Sequence, residues 1–230
     1  MIYLIGAGGV GSWLAPVMAK LLANPKHLIL VDGDTLEEKN LDRQLFTSED
    51  IGKNKAVALS ERLGCQFSDK WYHHHNFQHE PEDWLLGCVD NNPGRDMVLK
   101  ACDLYDCNAI IAANEVHSSE AYVYRPEWRK TKLDPRMYYP EIEQDDSGDP
   151  ARRGMGCTGV AQTENRQLVT ANFMAASLAA HLFVVWGMEY RKSSELARAY
   201  MPHRLRQNLT RNEFTLRGEL ENQKTETKGS

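Results

Sequence analysis

The chain has 230 residues and a mass of 26.2 kDa, enough for one α/β domain with an extension. A net charge of −5 and a pI near 5.9 exclude a general nucleic-acid binder, which would carry a basic face. The charge is uneven: residues 189–230 hold nine Lys/Arg against six Asp/Glu, or +3, which leaves −8 for the rest. That tail reads as a solvated helical extension, with docking on an acidic partner as the alternative.

From the start of the chain, Ile2 to Ile5 is an apolar run of strand formers that ends in Gly6-x-Gly8-Gly9-x-Gly11. Trp13 to Leu22 then has the apolar period of a helix. In such a strand, turn and helix, Gly6 takes the angles of a tight turn, and Gly8 and Gly9 let main chain approach a phosphate. Gly11 permits close helix–strand packing. Free N–H groups at the helix start face an anion. NAD, FAD and ATP sites share this loop, so it does not choose among them. A second strand, His27 to Val31, ends in Asp32-Gly-Asp34, where a carboxylate holds a ribose hydroxyl.

The segment that follows carries Asn40, Arg43 and Gln44, and then Lys55. A dehydrogenase has no use for two fixed cations here. A triphosphate does, because Arg43 and Lys55 neutralise its β- and γ-phosphates and the charge that develops as a nucleophile attacks the α-phosphorus. Taken singly, Arg43 reads as a surface ion pair with Asp42 or Glu38, and Lys55 as an exposed helix position. His73, His74, His75 and His79 resemble a metal cluster, but consecutive side chains on a strand alternate faces and no acidic or thiolate partner stands at ligand spacing; an exposed strand end is expected. Leu85 to Val89 runs into Asp90-Asn91. A carboxylate at the carboxyl end of a buried strand, facing the crevice of the glycine loop, suits a hard cation on phosphates and also serves as an N-cap.

Around Tyr124 to Gly154 four prolines and an acidic cluster (Glu141, Glu143, Asp145, Asp146, Asp149) break all periodicity, which predicts a long loop. Gln167 to Met188 is long and uncharged enough to raise the question of a membrane span, yet it carries Thr170, Asn172, Ser177 and His181, and a buried core or interface helix is the better fit. Five cysteines form neither a C-x-x-C pair nor an even framework, as expected for reduced thiols without structural zinc. With no basic and apolar leader ahead of the first strand, no secretory signal is read and the expected location is cytoplasmic.

Gly6-x-Gly8-Gly9-x-Gly11, Asp32-x-Asp34, Asn40-Leu-x-Arg43-Gln44 and Gly52-x-x-Lys55-Ala56 together resemble the ThiF/MoeB/HesA family, bacterial relatives of the ubiquitin-activating enzymes. The resemblance covers residues 1 to about 115 strongly and Gly154 to Met188 more weakly. It implies a doubly wound, Rossmann-like, mostly parallel sheet with helices on both faces and a crossover loop; the C-terminal helical tail, from Glu189 onward, matches no segment of the family. The corresponding segments are an ATP-binding domain at 1–123, a crossover loop at 124–156, a returning core or interface helix region at 157–188 and a charged extension at 189–230. It further implies that Asp32 binds the ribose, that Asn40, Arg43, Gln44 and Lys55 line the triphosphate site, and that Asp90, beside Asn91, helps to hold Mg²⁺ with ATP. The implied activity is adenylation of the C-terminal carboxylate of a small ubiquitin-like or sulfur-carrier protein ending in glycine, by a homodimer, with no nucleic acid and no membrane involved.

In some relatives a cysteine near Gly156-Cys157-Thr158 becomes acylated and in others it is structural, so Cys157 carries either role. The chain lacks the paired C-x-x-C zinc ligands of many relatives and the N-terminal helix that supplies an arginine to the other subunit's site. Two other readings stand beside this one. An NAD(P)-dependent oxidoreductase explains the glycine loop and Asp32 but not Arg43, Lys55 or Asp90, and a non-catalytic family member would keep the fold as a scaffold.

Overall fold

The computed structural model describes residues 1–115, 117–144, 168–194, 197–198, 201–208 and 213–218. Strand β1 (Ile2–Ile5) leads through helix α1 (Gly11–Leu21) to β2 (Leu28–Val31), and α2 (Lys55–Leu63) leads to β3 (Gln66–Ser68). The chain then enters β4 (Trp84–Gly87), α3 (Asn92–Tyr105) and β5 (Asn108–Asn114). These five strands are parallel, in the order β3-β2-β1-β4-β5, with β1 paired to both β2 and β4. Chain direction across the sheet reverses between β1 and β4, so the loops leaving their carboxyl ends open a crevice there.

Alternate residues of each strand face opposite layers. Leu4, Leu30, Leu86 and Ile110 pack with α1 and α2 (Leu14, Met18, Leu59), whereas Ile5, Val31, Leu85 and Ile111 pack with α3 (Val98, Leu99, Cys102). Both faces of the parallel sheet are therefore covered, as its near-continuous apolar strands require. The uncharged stretch at Gln167–Met188 forms α6 (Val169–Leu182) and a π-helical continuation, Phe183–Glu189. It is long and apolar enough to cross a membrane by length and composition. Here, however, Ala171, Asn172, Ala175, Ala179 and Leu182 are buried in the layer that also holds α1, the core position expected of it.

Two expectations change. After β6 (Ser118–Tyr124), the described part of the predicted loop contains a 3₁₀ turn at Pro126–Trp128 and two short helices, α4 (Pro135–Tyr138) and α5 (Glu141–Gln144). Ion pairing orders this segment in place of hydrophobic periodicity. The Arg136 guanidinium reaches Asp134 (2.9 Å), Asp103 on α3 (2.9 Å) and the Tyr124 hydroxyl (2.6 Å), and lies over the Tyr124 ring. The C-terminal helix is present, but beyond Lys192 the expected helical extension is replaced by β7 (Pro202–Asn208) and β8 (Glu213–Gly218). Antiparallel pairing of β6 on β5, β7 on β6 and β8 on β7 widens the sheet to eight strands. In β7, His203 and Leu205 are buried while Arg206 is exposed, a period-two pattern that the basic composition masks. Trp186 holds the strand by donating to the Pro202 carbonyl at 2.7 Å.

His73 to His75 occupy a turn, not a strand end; the His73 and His74 rings stack at 4.6 Å and His75 lies tilted against His74 at 3.9 Å. His79 is buried elsewhere, 2.9 Å from the Tyr72 hydroxyl.

The Asp134 carboxylate is an acid-sensitive anchor of the segment after β6. Burial alone would raise its pKa, but hydrogen bonds from Arg136 and from the Lys130 and Arg136 amides outweigh burial and hold it below the usual carboxylate range. A depressed folded-state pKa contributes stability that is present above the unfolded value, near 4, and is lost as pH falls through the folded one. We expect Asp134→Asn to destabilise the protein by about 3 kcal/mol at neutral pH. The difference from wild type should shrink below about pH 4, as measured by urea unfolding across pH; a constant difference would refute the assignment.

Candidate nucleotide site

The loop after β1 uses its glycines for different reasons. Gly6 has φ +91°, a conformation that disfavours side chains, and a Cβ there would lie 2.8 Å from the Cys88 carbonyl oxygen. Gly11 opens α1, and its Cβ would lie 1.9 Å from the Gly6 oxygen, so only glycine lets the helix pack this close. At Gly8 the nearest atom to such a Cβ is Gln44 Nε2, 3.8 Å away, an ordinary contact. The protein itself makes no demand for glycine at this position, and the space is a cradle open to a ligand. Gly9 contributes its carbonyl oxygen, which accepts from the Ser12 hydroxyl at 3.5 Å.

Asp32 follows β2 and is 7% exposed. One carboxylate oxygen accepts from the Ala7 amide in the glycine loop (2.6 Å) and the other from the Asp34 amide (2.8 Å). Burial pushes its pKa up, against the pull of those amides and of Lys55. Asp34 in turn pairs with Lys55, the first residue of α2. Lys55 is therefore not the exposed helix position of its isolated reading: it is 5% exposed, a buried cation beside the two carboxylates. Asn54, which the sequence reading passed over, sets this geometry. Its Oδ1 caps α2 by accepting from Val57, while its Nδ2 donates to the carbonyls of Asp32 (2.8 Å) and Asp34 (3.1 Å). An Asn just ahead of a helical period is the signal that marks it.

The Asn40–Gln44 turn lies across the loop. Asn40 is buried, and its Oδ1 accepts from the Glu37 amide at 3.0 Å, so its side chain holds the turn. The Arg43 guanidinium donates to the Lys39 carbonyl (2.8 Å) and to Asp42 (2.9 Å), the ion pair of its isolated reading. Gln44 is buried beside Gly8 with its amide Nε2 toward the cradle, while its Oε1 has no hydrogen-bond partner.

On the other side of the crevice, Cys88 follows β4 and its amide donates to Ile5 O at 2.8 Å. Asp90 is exposed two residues later, its Oδ1 accepting from Asn91 Nδ2 at 3.2 Å. Asn91 caps α3 through Gly94 N (2.8 Å), so of this pair it takes the N-cap and Asp90 keeps its charge toward solvent. Trp71, also unnoticed in the sequence, lies half exposed over Gly33, where a Cβ would come within 2.7 Å of the indole. Among the described residues Cys65, Cys88, Cys102 and Cys107 are free and buried, and burial pushes the Cys88 thiol up to about 12. Cys157 lies outside the described residues.

The groups at this site fit ATP: a glycine cradle without a steric reason of its own, the Gln44 Nε2 donor beside it, two cations and a buried carboxylate after β2. Asp90 is a single exposed carboxylate, the arrangement by which Mg²⁺ is held jointly with phosphates. No group of three His, Cys, Asp or Glu side chains among the described residues forms a metal cage.

Similarity to known proteins bears on the family and the fold. Ubiquitin-like modifier-activating enzyme 5 of Dictyostelium discoideum is 32% identical over 122 residues, which cover 44% of this chain and 32% of that protein. The adenylyltransferase and sulfurtransferase MOCS3 of Drosophila sechellia is 34% identical over 113 residues, covering 44% and 24%. The chain thus spans about a third or less of the length of these curated relatives. The crystal structure of E. coli MccB with ATP matches with a TM-score of 0.65 at 17% identity, over 95% of this chain and 63% of that one. PaaA matches with 0.64 at 14%, over 95% and 72%. At such identities these two likenesses show the shared fold. The ThiF family profile matches residues 1–222, and with this span the chain belongs to the ThiF family.

Proposed function

We propose that this protein binds ATP with Mg²⁺ and adenylates the C-terminal carboxylate of a small ubiquitin-like or sulfur-carrier protein. The observation that carries the reading is the placement of Lys55, a buried cation paired with Asp34, at the same crevice as the open cradle at Gly8 and the turn bearing Arg43. A dinucleotide needs the loop and Asp32 alone; a triphosphate also needs the cations. The names of the relatives, which include ubiquitin-like modifier activation and adenylyl transfer, and the MccB structures with ATP and with MccA support the same class of chemistry.

In this reading a carboxylate oxygen of the carrier attacks the α-phosphorus, the bond to the bridging oxygen breaks and pyrophosphate leaves. Arg43 and Lys55 hold the β- and γ-phosphates, and Asp32 takes the ribose. Asp90 holds Mg²⁺, which supplies neutralisation of phosphate charge when bound. A thiolate then attacks the acyl carbon of the adenylate, the carbon–oxygen bond to the phosphate breaks, AMP leaves and a thioester forms, with Cys157 as the candidate thiol. The free thiols among the described residues suit a reducing, cytoplasmic setting.

ATP with Mg²⁺ is expected to raise the melting temperature well beyond NAD at equal concentration, because only a ligand of the native state shifts it. Arg43→Ala should abolish most of the difference. Gly8→Ala should do the same while leaving the unliganded melting temperature within a few degrees of wild type, since the added methyl meets only a flexible amide end. Equal shifts from NAD and ATP would defeat the assignment.

Pyrophosphate exchange, with a small ubiquitin-like protein ending in Gly-Gly as the carrier, separates the two chemical steps. Asp90→Ala should keep measurable ATP affinity and lose exchange by about 100-fold or more, since the metal serves the transition state more than the ground state. Cys157→Ser should retain exchange and lose any reducible carrier conjugate. Normal exchange in the first variant removes Asp90 from the site, and an unchanged conjugate in the second removes Cys157.

A homodimer completes the proposal. Leu168, Val169 and Phe173 at the start of α6 are exposed, and Phe173 meets the Trp13 ring edge-on at 5.7 Å on the same side as exposed Val17. A second copy would cover this apolar surface and bury more than about 1,000 Å² in all. Light scattering should give twice the chain mass at micromolar concentration; a monomer there contradicts the dimer.

A further inference from the structure

The turn bearing Arg43 and Gln44 is tied to the body of the protein through its backbone, by three side chains distant in sequence. The Arg43 carbonyl oxygen accepts from Trp13 Nε1 at 3.1 Å and from Asn172 Nδ2 at 3.2 Å. Two residues on, the Leu45 amide donates to the Ser12 hydroxyl at 3.0 Å. Meanwhile the Arg43 guanidinium is occupied within the turn itself, on Lys39 and Asp42. Its side chain therefore does not anchor the turn; its carbonyl oxygen does.

Asn172 is the informative member. It is fully buried in the first turn of an apolar helix, and its Oδ1 has no hydrogen-bond partner. An amide with an orphaned oxygen is a costly occupant of a core, and a leucine there would avoid the cost. The reverse amide orientation would face Oδ1 against the Arg43 oxygen, so the donor role of Nδ2 follows from chemistry. Trp13 likewise sends its single donor to the same acceptor from the first turn of α1. Two helices thus converge on one main-chain oxygen, immediately before the glutamine that faces Gly8.

We propose that Asn172 and Trp13 are positioning residues that hold the Arg43–Gln44 turn against the glycine loop for a bound triphosphate, through the Arg43 carbonyl oxygen. This rests on the nucleotide reading given under Proposed function. The turn must stay in place whether or not its guanidinium swings from Asp42 to phosphate, and a hold on the carbonyl leaves the side chain free to do so.

The test uses Asn172→Leu and Trp13→Phe, each of which deletes the donor and keeps an apolar body. Calorimetric titration with ATP and with AMP, both with Mg²⁺, is combined with hydrogen exchange of the unliganded proteins over residues 40–46, where the Arg43 and Gln44 amides bond to the Asn40 oxygen. In each variant ATP affinity should fall about tenfold, the equivalent of one lost hydrogen bond, with AMP affinity changed by less than about twofold. Exchange at residues 40–46 should quicken without a matching change in β1. Adding Asn172→Leu to Arg43→Ala should cost ATP affinity nothing further, because the turn then presents no guanidinium. Unchanged ATP affinity in a folded variant, an equal loss for ATP and AMP, or full additivity with Arg43→Ala overturns the proposal. Should Asn172→Leu fail to fold, Trp13→Phe carries the same comparison. Failure of the nucleotide reading looks different: wild type itself would bind neither nucleotide, which removes the triphosphate role even where exchange at the turn responds.

Discussion

The buried carboxylate of Asp32 is the interaction on which the nucleotide half depends. It bridges the loops that leave two neighbouring parallel strands by accepting from Ala7 after β1 and from Asp34 after β2. A carboxylate without those amides would be expensive at this depth, and the amides without it would be unpaired donors at the mouth of the crevice. Satisfying both at once sets the glycine loop and the Asp32–Asp34 segment as one unit. Asn54 then extends the unit to α2 by binding both Asp carbonyls while capping the helix, and so delivers Lys55 to Asp34. The arrangement puts positive charge where phosphate is expected and holds it in reserve on a carboxylate.

A second charged node performs the equivalent task in the antiparallel half. Glu120 on β6 accepts from Arg204 on β7 and from the Tyr139 hydroxyl after α4, and Arg204 lies over the rings of Tyr138 and Tyr139. Arg136 does the same for α4, Asp103 and Tyr124. Partly buried bidentate and stacked arginines serve well here, because the guanidinium tolerates desolvation and satisfies several acceptors at once. The segment after β6 is thereby ordered alongside its buried Trp128 and Ile142, and the sheet extends through β7, whose Leu205 joins the same core, to β8.

These two halves meet at α6. Its small residues, Ala171, Ala175, Ala176 and Ala179, let it approach the sheet closely, and Ser119 on β6 donates to the Ala171 carbonyl at 2.8 Å. From the same turn of helix Asn172 reaches the Arg43 carbonyl, so a single helix touches both the antiparallel strands and the turn bearing Arg43.

What the sequence determined by itself is local. The run Ile2–Ile5, the spaced glycines and the second strand ending in Asp32 specify a strand–turn–helix unit and a carboxylate beside it, because backbone freedom and period-two or period-3.6 patterning act over a few residues. The uncharged stretch at 167–188 was likewise legible as a core helix. Only the tertiary structure decided that Lys55 is buried against Asp34, that Asn40 turns inward on Glu37, that the Arg43 oxygen receives donors from residues 30 and 129 positions away, and that the basic tail supplies strands to the sheet. Each of these depends on which strand edge, loop or helix face arrives beside the residue. A lysine or an arginine has the same local pattern whether it ends in water or on a carboxylate; the neighbour that settles it is brought by the order of strands in the sheet.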